Sequence, residues 1–341
     1  MIDTPATVTI ADVARVAGVS KMTVSNVINN KPGMTEETRE RVRRAIEQTG
    51  YVVNPAARAL SNKRLRSNLI GVLTPQLNWP WVAEILHGAS TTAEAAGLNL
   101  AIFTTASNPA LERERATLLR TLADGVLVVI PTADEQHIFG NDIPVVTLGA
   151  YGQRTVQVDN HAGGYLATRH LVELGHTRIA HLAGKHDTTL RDALDRQAGY
   201  HAALRDAGLS APDAYLQQGE FSETGGELAT RILLALPERP TAIFAANDLS
   251  AIGALRAASA LGLRVPEDLS IVGFDDIHAA AVTDPPLTTV RQPLEEIGQA
   301  AVQLLIQLTR GQSADPHVRF PATLVTRGST APPSQEASMS P

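Results

Sequence analysis

Seven short runs of Val, Ile, Leu and Ala, alternating with amphipathic stretches, constrain the fold of this chain more than any other feature. They are Leu69–Thr74, Leu98–Thr104, Gly125–Ile130, Val145–Leu148, Ile179–Leu182, Ala242–Ala246 and Leu269–Phe274. Helical segments between and after them include Trp81–Ala96, Ala162–Leu174, Leu190–Ala207, Ser222–Leu236, Leu249–Leu261 and Leu294–Thr309. A continuous apolar run suits a strand buried on both faces, and a helix supplies the crossover that parallel strands require. The class is α/β. The strands are too many for one comfortable sheet, so two doubly wound lobes with a cleft are expected. Ligands of such sheets sit at the strand carboxyl ends.

The stretch before Asn68 follows a different rule. In Thr9–Asn30, TIADVARVAGVSKMTVSNVINN, Thr9 and Asp12 form a capping-box pattern, and Ile10, Val13, Ala14 and Ala17 recur at helical spacing. Gly18 permits a sharp exit, and Ser20 caps a second helix whose Val24, Val27 and Ile28 face the first. Lys21, Met22, Ser25 and Asn26 then stay exposed at the start of that helix. A helix fits the DNA major groove, where ammonium and amide groups bond base edges and apolar groups touch thymine methyls. An ordinary helical hairpin is the bland alternative. Thr35 caps a third helix ending at Gly50, whose Val42, Ala45 and Ile46 close a bundle. Arg39, Arg41, Arg43 and Arg44 read as a solvated face. Asn54–Ser61, NPAARALS, is too short to be a stable isolated helix. Paired with a symmetry mate on DNA it would form, with Leu60 as a minor-groove wedge; a plain linker fits equally.

The net charge of −6 conceals an asymmetry. Residues 1–66 hold eleven Lys/Arg against six Asp/Glu, a net +5, and the rest of the chain carries a net −11. A basic head on an acidic body suits a polyanion partner for the head alone. The 341 residues contain no Cys, which excludes disulfides and thiolate metal sites. With neither a signal-peptide pattern nor an apolar run of membrane-spanning length, the expected location is the cytoplasm, at the nucleoid.

Polar groups gather at the expected strand ends. Asn247-Asp248 follows TAIFAA, Asp275-Asp276 follows LSIVGF, Arg196 lies on a helix after the LAG turn, Phe221 ends the strand QQGE, and Trp79-Pro80-Trp81 follows the first strand. Carboxylate, amide and guanidinium groups beside aromatic faces suit a polyhydroxylated ligand. Singly, Asn or Asp there is a helix cap and Phe is core. His170, His176, His181 and His186 span a helix, a loop and a strand, so they do not converge on a metal. Asp275 and Asp276 leave a strand on opposite sides and cannot flank one bond. No catalytic or cofactor motif occurs, so neither enzyme nor cofactor is expected.

Taken together, TIADVARVAGVSKMTVSNVINN, TGYVVNPAARALS, VDNHAGGYLATRHLVELGHTRIAHLAG, FAANDLSAIGAL, IVGFDD and LTTVRQP resemble the lactose-repressor (LacI) family of bacterial transcription regulators over nearly the whole chain. The resemblance implies a helix-turn-helix head over 1–53 and a hinge helix and linker over 54–66. A core resembling periplasmic sugar-binding proteins would span 67–330, followed by a disordered tail over 331–341. The N-lobe would comprise about 67–160 and 292–320, and the C-lobe about 161–291 and 321–330, with crossing segments near Asp159 and Arg291. Position by position, Lys21, Met22 and Asn26 match base-reading places, Thr23, Ser25 and Asn29 phosphate contacts, and Ala57 and Leu60 minor-groove hinge residues. Trp81, Arg196, Phe221, Asn247, Asp275 and Gln292 match effector contacts. Gly149 departs from the pattern, standing where some sugar-responsive members carry a carboxylate. The tail lacks the leucine heptads of tetrameric members, which implies a homodimer on a pseudo-palindromic operator. The implied function is repression relieved by a sugar or sugar derivative. A purine-type corepressor, a transport-type sugar-binding protein and an enzyme on the same lobes are the alternatives.

Overall fold

The computed structural model describes residues 8–29, 31–52, 67–131, 138–140, 142–149, 152–184 and 191–334. The chain divides into two compact units, Met1–Ser67 and Asn68–Pro341.

In the first unit, α1 (Ile10–Ala17), α2 (Lys21–Ile28) and α3 (Glu36–Thr49) enclose a small core of Val13, Ala14, Ala17, Val24, Val42 and Ala45. The helix ends follow local chemistry. Asp12 Oδ2 accepts from the Thr9 backbone N–H at 3.0 Å and the Thr9 hydroxyl at 2.7 Å. These bonds and Arg15 hold its carboxyl down at about 2. Gly18, at φ +64°, takes the left-handed turn that ends α1. Ser20 Oγ accepts from the Thr23 N–H at 3.0 Å, and Thr35 Oγ1 from Thr38 at 3.3 Å. Arg43 pairs with Glu36 and Glu40, and Arg44 with Glu40, within their own helix, while Arg39 donates to the Lys31 carbonyl at 2.7 Å. The hinge segment Asn54–Ser61, with Ala57 and Leu60, lies outside the described residues.

The second unit contains two six-stranded sheets. The first has the order β11-β5-β4-β3-β1-β2, built from β1 (Leu69–Thr74), β2 (Asn99–Thr104), β3 (Gly125–Val129), β4 (Val145–Leu148), β5 (Thr155–Val158) and β11 (His317–Phe320). All its pairings are parallel. The second has the order β12-β10-β9-β8-β6-β7, from β6 (Ile179–Ala183), β7 (Leu216–Gln218), β8 (Ala242–Ala245), β9 (Ser270–Asp275), β10 (Thr288–Arg291) and β12 (Thr323–Val325). Only β10–β12 is antiparallel. The intervening helices are α4 (Pro80–Ala95), α5 (Pro109–Leu122), α6 (Asn160–Glu173), α7 (Arg191–Asp206), α8 (Glu223–Leu234), α9 (Asp248–Ala260), α10 (His278–Ala281) and α11 (Leu294–Thr309).

β5, β10, β11 and β12, each of three or four residues, and the charged helix α5 have no counterpart among the expected elements, while β7 is the expected strand before Phe221. HVRF alternates and carries charge because an edge strand needs no continuous apolar run, whereas TVQV, paired on both sides, is short and polar at Thr155 and Gln157. Asp275 is the last residue of β9, and Phe221 lies in a turn beyond β7 rather than at a strand end. The chain passes between sheets three times, at 158–160, 291–294 and 320–323. At the first passage Asp159 Oδ1 accepts from the Ala162 N–H at 3.0 Å, and its other oxygen lies 3.6 Å from Arg319.

Ala331 belongs to the body, not to a disordered tail. Its carbonyl bonds His176 Nε2 at 2.9 Å, and its N–H donates to Ser270 Oγ at 3.1 Å. The buried His176 also reaches Thr241 at 2.9 Å, and burial lowers its basicity. His170 bonds Thr330, while His181 is buried between Tyr200 and Phe244 and held neutral, pushed down to about 3. The three serve separate structural contacts, and His186 lies outside the described residues. Among the described residues, no group of three His, Cys, Asp or Glu side chains is placed to hold a metal ion.

Candidate DNA-reading helix and effector cleft

In the head, Lys21 and Met22 open α2 and are exposed, Met22 by 69%. Thr23, Ser25, Asn26 and Asn29 are half-buried along the same helix. The Thr23 hydroxyl shares a 2.9 Å bond with Ser20, and Asn29 Nδ2 donates to the Ser25 carbonyl at 2.8 Å. Thr23 and Asn29 thus also stabilise the ends of α2. Their backbone-side bonds fix the helix that presents Lys21, Met22 and Asn26.

In the body, Asp275 and Arg196 organise the carboxyl edge of the second sheet. Arg196 is 6% exposed. Its Nε donates to Asn160 Oδ1 at 2.8 Å and its Nη1 to the Ala246 carbonyl at 2.6 Å. Nη1 also lies 3.5 Å from Asp275 Oδ1, and the guanidinium sits 3.7 Å over the Phe274 ring. Close helix packing fixes this position: a Cβ on Gly164 of α6 would stand 2.1 Å from the Arg196 carbonyl oxygen.

Asp275 is 5% exposed and adopts φ +115°, outside the usual range for a side-chain-bearing residue. Oδ1 accepts from Gln292 Nε2 at 2.6 Å, and the backbone carbonyl from the Gln292 N–H at 3.2 Å. One oxygen of this carboxylate is therefore satisfied by the protein itself. Oδ2 has no hydrogen-bond partner among the described residues. Burial pushes the carboxyl up to about 6, against the pull of Arg196 and Gln292. Its neighbour Asp276 faces away, accepting from Arg291 at 2.7 Å and Arg327 at 2.5 Å. The two carboxylates have separate partners, as strand geometry requires.

Asn247 is the N-cap of α9: Oδ1 accepts from the Ser250 N–H at 2.9 Å, and Nδ2 donates to the Phe221 carbonyl at 3.3 Å. The bland cap reading holds for this residue, and the cap also ties down the Phe221 turn. Phe221, at φ +55°, lays its ring against Gly184, where a Cβ would come within 2.3 Å. Trp81 stacks on Trp79 at 5.7 Å between centroids, at the start of α4 in the other lobe. Arg196, Asp275 and Gln292 thus form one network, Asn247 and Phe221 adjoin it through the Ala246 carbonyl, and Trp81 belongs to a separate aromatic pair.

Four contributors, Asn160, Phe274, Asp192 and Glu84, went unread in the sequence. Asn160 orients Arg196, Phe274 carries it, and Asp192 lies one helical turn before it on α7. The spacing of Asp192 and Arg196, four residues apart on one helix, was a legible signal. Glu84, on α4, has its carboxyl raised by burial and by Asp276, and lowered by His278. Asp248 is buried and pushed up for the same reason, though Thr289 and the Ile277 N–H both donate to it.

Comparison with known proteins agrees with this two-part fold. A family model described as bacterial regulatory proteins, lacI family, matches residues 9–54, and one for a periplasmic binding protein-like domain matches 168–330. The HTH-type transcriptional repressor PurR of Aliivibrio fischeri (strain MJ11) is 35% identical over 336 residues, 94% of this chain and 98% of its own. The ribose operon repressor of Escherichia coli (strain K12) is 36% identical over 334 residues, covering 94% and 99%. A solved lac repressor dimer, bound to operator and the anti-inducer ONPF, superposes with a TM-score of 0.81 at 32% identity, covering 95% and 99%.

Proposed function

The chain belongs to the lacI family of bacterial regulatory proteins and is a sequence-specific DNA-binding transcriptional regulator; from that premise we propose that it represses carbohydrate-utilisation genes until a sugar or sugar derivative releases it. In this reading a homodimer sits on a pseudo-palindromic operator. Lys21, Met22 and Asn26 of each copy meet base edges, and Thr23, Ser25 and Asn29 meet phosphates. Ala57 and Leu60 enter the minor groove. Residues 1–53 are the reading head, 54–66 the hinge and 67–330 the effector core. The observation that carries the effector assignment is Asp275, a largely buried carboxylate at the carboxyl edge of a parallel sheet, whose Oδ2 accepts no hydrogen bond from the described residues. A ligand hydroxyl is a natural donor to it, while Phe221 and Trp81 cover the apolar C–H face. Gln292 acts through its bond to Asp275.

A second reading, a purine-type corepressor, rests on the similarity to PurR repressors. The two are separable with the full-length protein. Its preferred duplex is first selected from a random library. DNA affinity is then titrated with ribose, cellobiose, hypoxanthine and guanine. Weakening by a sugar supports the first reading and strengthening by a base the second; by linkage, DNA must change effector affinity by the same factor. A chain starting near Leu65 must lose the selected duplex and keep the effector. Retained DNA affinity in that fragment would refute the head assignment. The full chain's affinity must also fall steeply with salt.

A further inference from the structure

Asn160 is the first residue of α6, immediately after the passage from β5 into the second lobe, and it is 4% exposed. Its side-chain amide makes a bond on each side of that passage. Oδ1 accepts from Arg196 Nε at 2.8 Å, and Nδ2 donates to the carbonyl of Val158, the last residue of β5, at 3.4 Å. The preceding Asp159 caps α6 and lies 3.6 Å from Arg319 of β11, so the passage is held from both lobes. The acid beside Arg196 is tied in the same way: Asp275 takes two hydrogen bonds from Gln292, in the second passage. The backbones behind these side chains leave little slack. A Cβ on Gly199 of α7 would stand 2.2 Å from the His161 carbonyl oxygen and 2.6 Å from the Tyr165 nitrogen. With Gly164, this brings α6 and α7 together backbone to backbone around Asn160 and Arg196.

We propose that Asn160 is a positioning residue of the effector site and its link to the first passage between the lobes, so that it sets how strongly effector occupancy changes DNA affinity. This rests on the effector-cleft reading above and holds for a sugar or a purine. Relative motion of two lobes is absorbed by backbone rotation in the few residues that join them. A ligand that draws on Arg196 alters its charge-assisted bond to Asn160 Oδ1, and Asn160 is one of those joining residues. With α6 and α7 in backbone contact, the shift is delivered to the 158–160 segment and not taken up by loose side chains. An amide suits this place because one planar group accepts from the guanidinium and donates to the β5 carbonyl. Asp would keep the acceptor for Arg196. Ser is one atom shorter than the reach required, and Ala has no polar group.

The test uses the full-length protein and its selected duplex. Ribose, cellobiose, hypoxanthine and guanine are titrated, and the compound that changes wild-type DNA affinity most is carried through the variants. Two quantities are read: the effector concentration at half-change, and the plateau, the ratio of DNA affinities without and with saturating effector. A residue that only holds Arg196 in place moves the half-change and leaves the plateau. In Asn160→Ser and Asn160→Ala the half-change should rise roughly twofold to tenfold, the cost of ordering one freed long side chain on binding. The plateau should also move toward one, by roughly threefold or more. Asn160→Asp should restore most of it. A wild-type plateau in the Ser and Ala variants, or no recovery with Asp, overturns the proposal and leaves the effector-cleft reading standing. Loss of fold in both Ser and Ala variants, read by melting curves, makes Asn160 a core residue and overturns it too. If none of the four compounds changes wild-type DNA affinity, the cleft reading and the proposal fall together.

Discussion

Replacing Asp275 by Asn should weaken effector binding while making the protein more stable at neutral pH. The carboxyl is buried and sits at about 6 instead of 3.8, because burial outweighs the attraction of Arg196 and the Gln292 hydrogen bond. Arg196 is shifted in the corresponding direction: burial lowers it despite three acidic neighbours, so the pair does not repay its own desolvation. Below about pH 4 the carboxyl is protonated in both native and unfolded chains and costs nothing. Between about 4 and 6 the unfolded chain releases its proton first, so stability falls as pH rises. Above 6 the full cost applies, at most about 3 kcal/mol at 1.36 kcal/mol per pK unit. Asn has the shape of the neutral form and keeps an oxygen for Gln292 and Arg196. The variant should therefore gain up to about 3 kcal/mol at pH 7 and almost nothing near pH 3.5, read by urea unfolding at both values. Its effector affinity should drop about tenfold to over a hundredfold, the worth of a hydrogen bond to a charged group. Operator binding without effector should remain. A variant less stable than wild type at pH 7 would make Asp275 the structural counter-ion of Arg196. Undiminished effector affinity would remove it from the site.

Two further outcomes test the supports of the site. Gly164→Ala should cost at least about 2 kcal/mol, because its Cβ meets the Arg196 carbonyl at 2.1 Å and must push α6 from α7. It should weaken effector binding without touching the ligand, and unchanged urea stability would contradict the packing argument. Leu60→Ala should lower affinity for the operator more than for random duplex, since a wedge acts only on a bent site. Equal losses on both DNAs, measured by fluorescence anisotropy, would reduce Leu60 to linker.

What the sequence determined by itself was local and periodic. Thr9, Gly18, Ser20, Thr35 and Gly50 placed the head's helices because caps and left-handed turns act over three or four residues. Runs such as LIGVLT and SIVGFD announced buried parallel strands because a strand covered on both faces needs unbroken apolar sequence. The short strands TVQV and HVRF left no such trace: Thr155 and Gln157 interrupt the apolar run of the first, and the second, at the sheet edge, pairs with a strand distant in the chain. Motif resemblance named Arg196, Asp275 and Gln292, but only the tertiary structure joined them through one carboxylate oxygen. It also brought Asp192 beside Gly149, 43 positions earlier in the chain and in the opposite lobe. Side-chain partners across lobes depend on where whole sheets come to rest. No spacing along the chain encodes that distance.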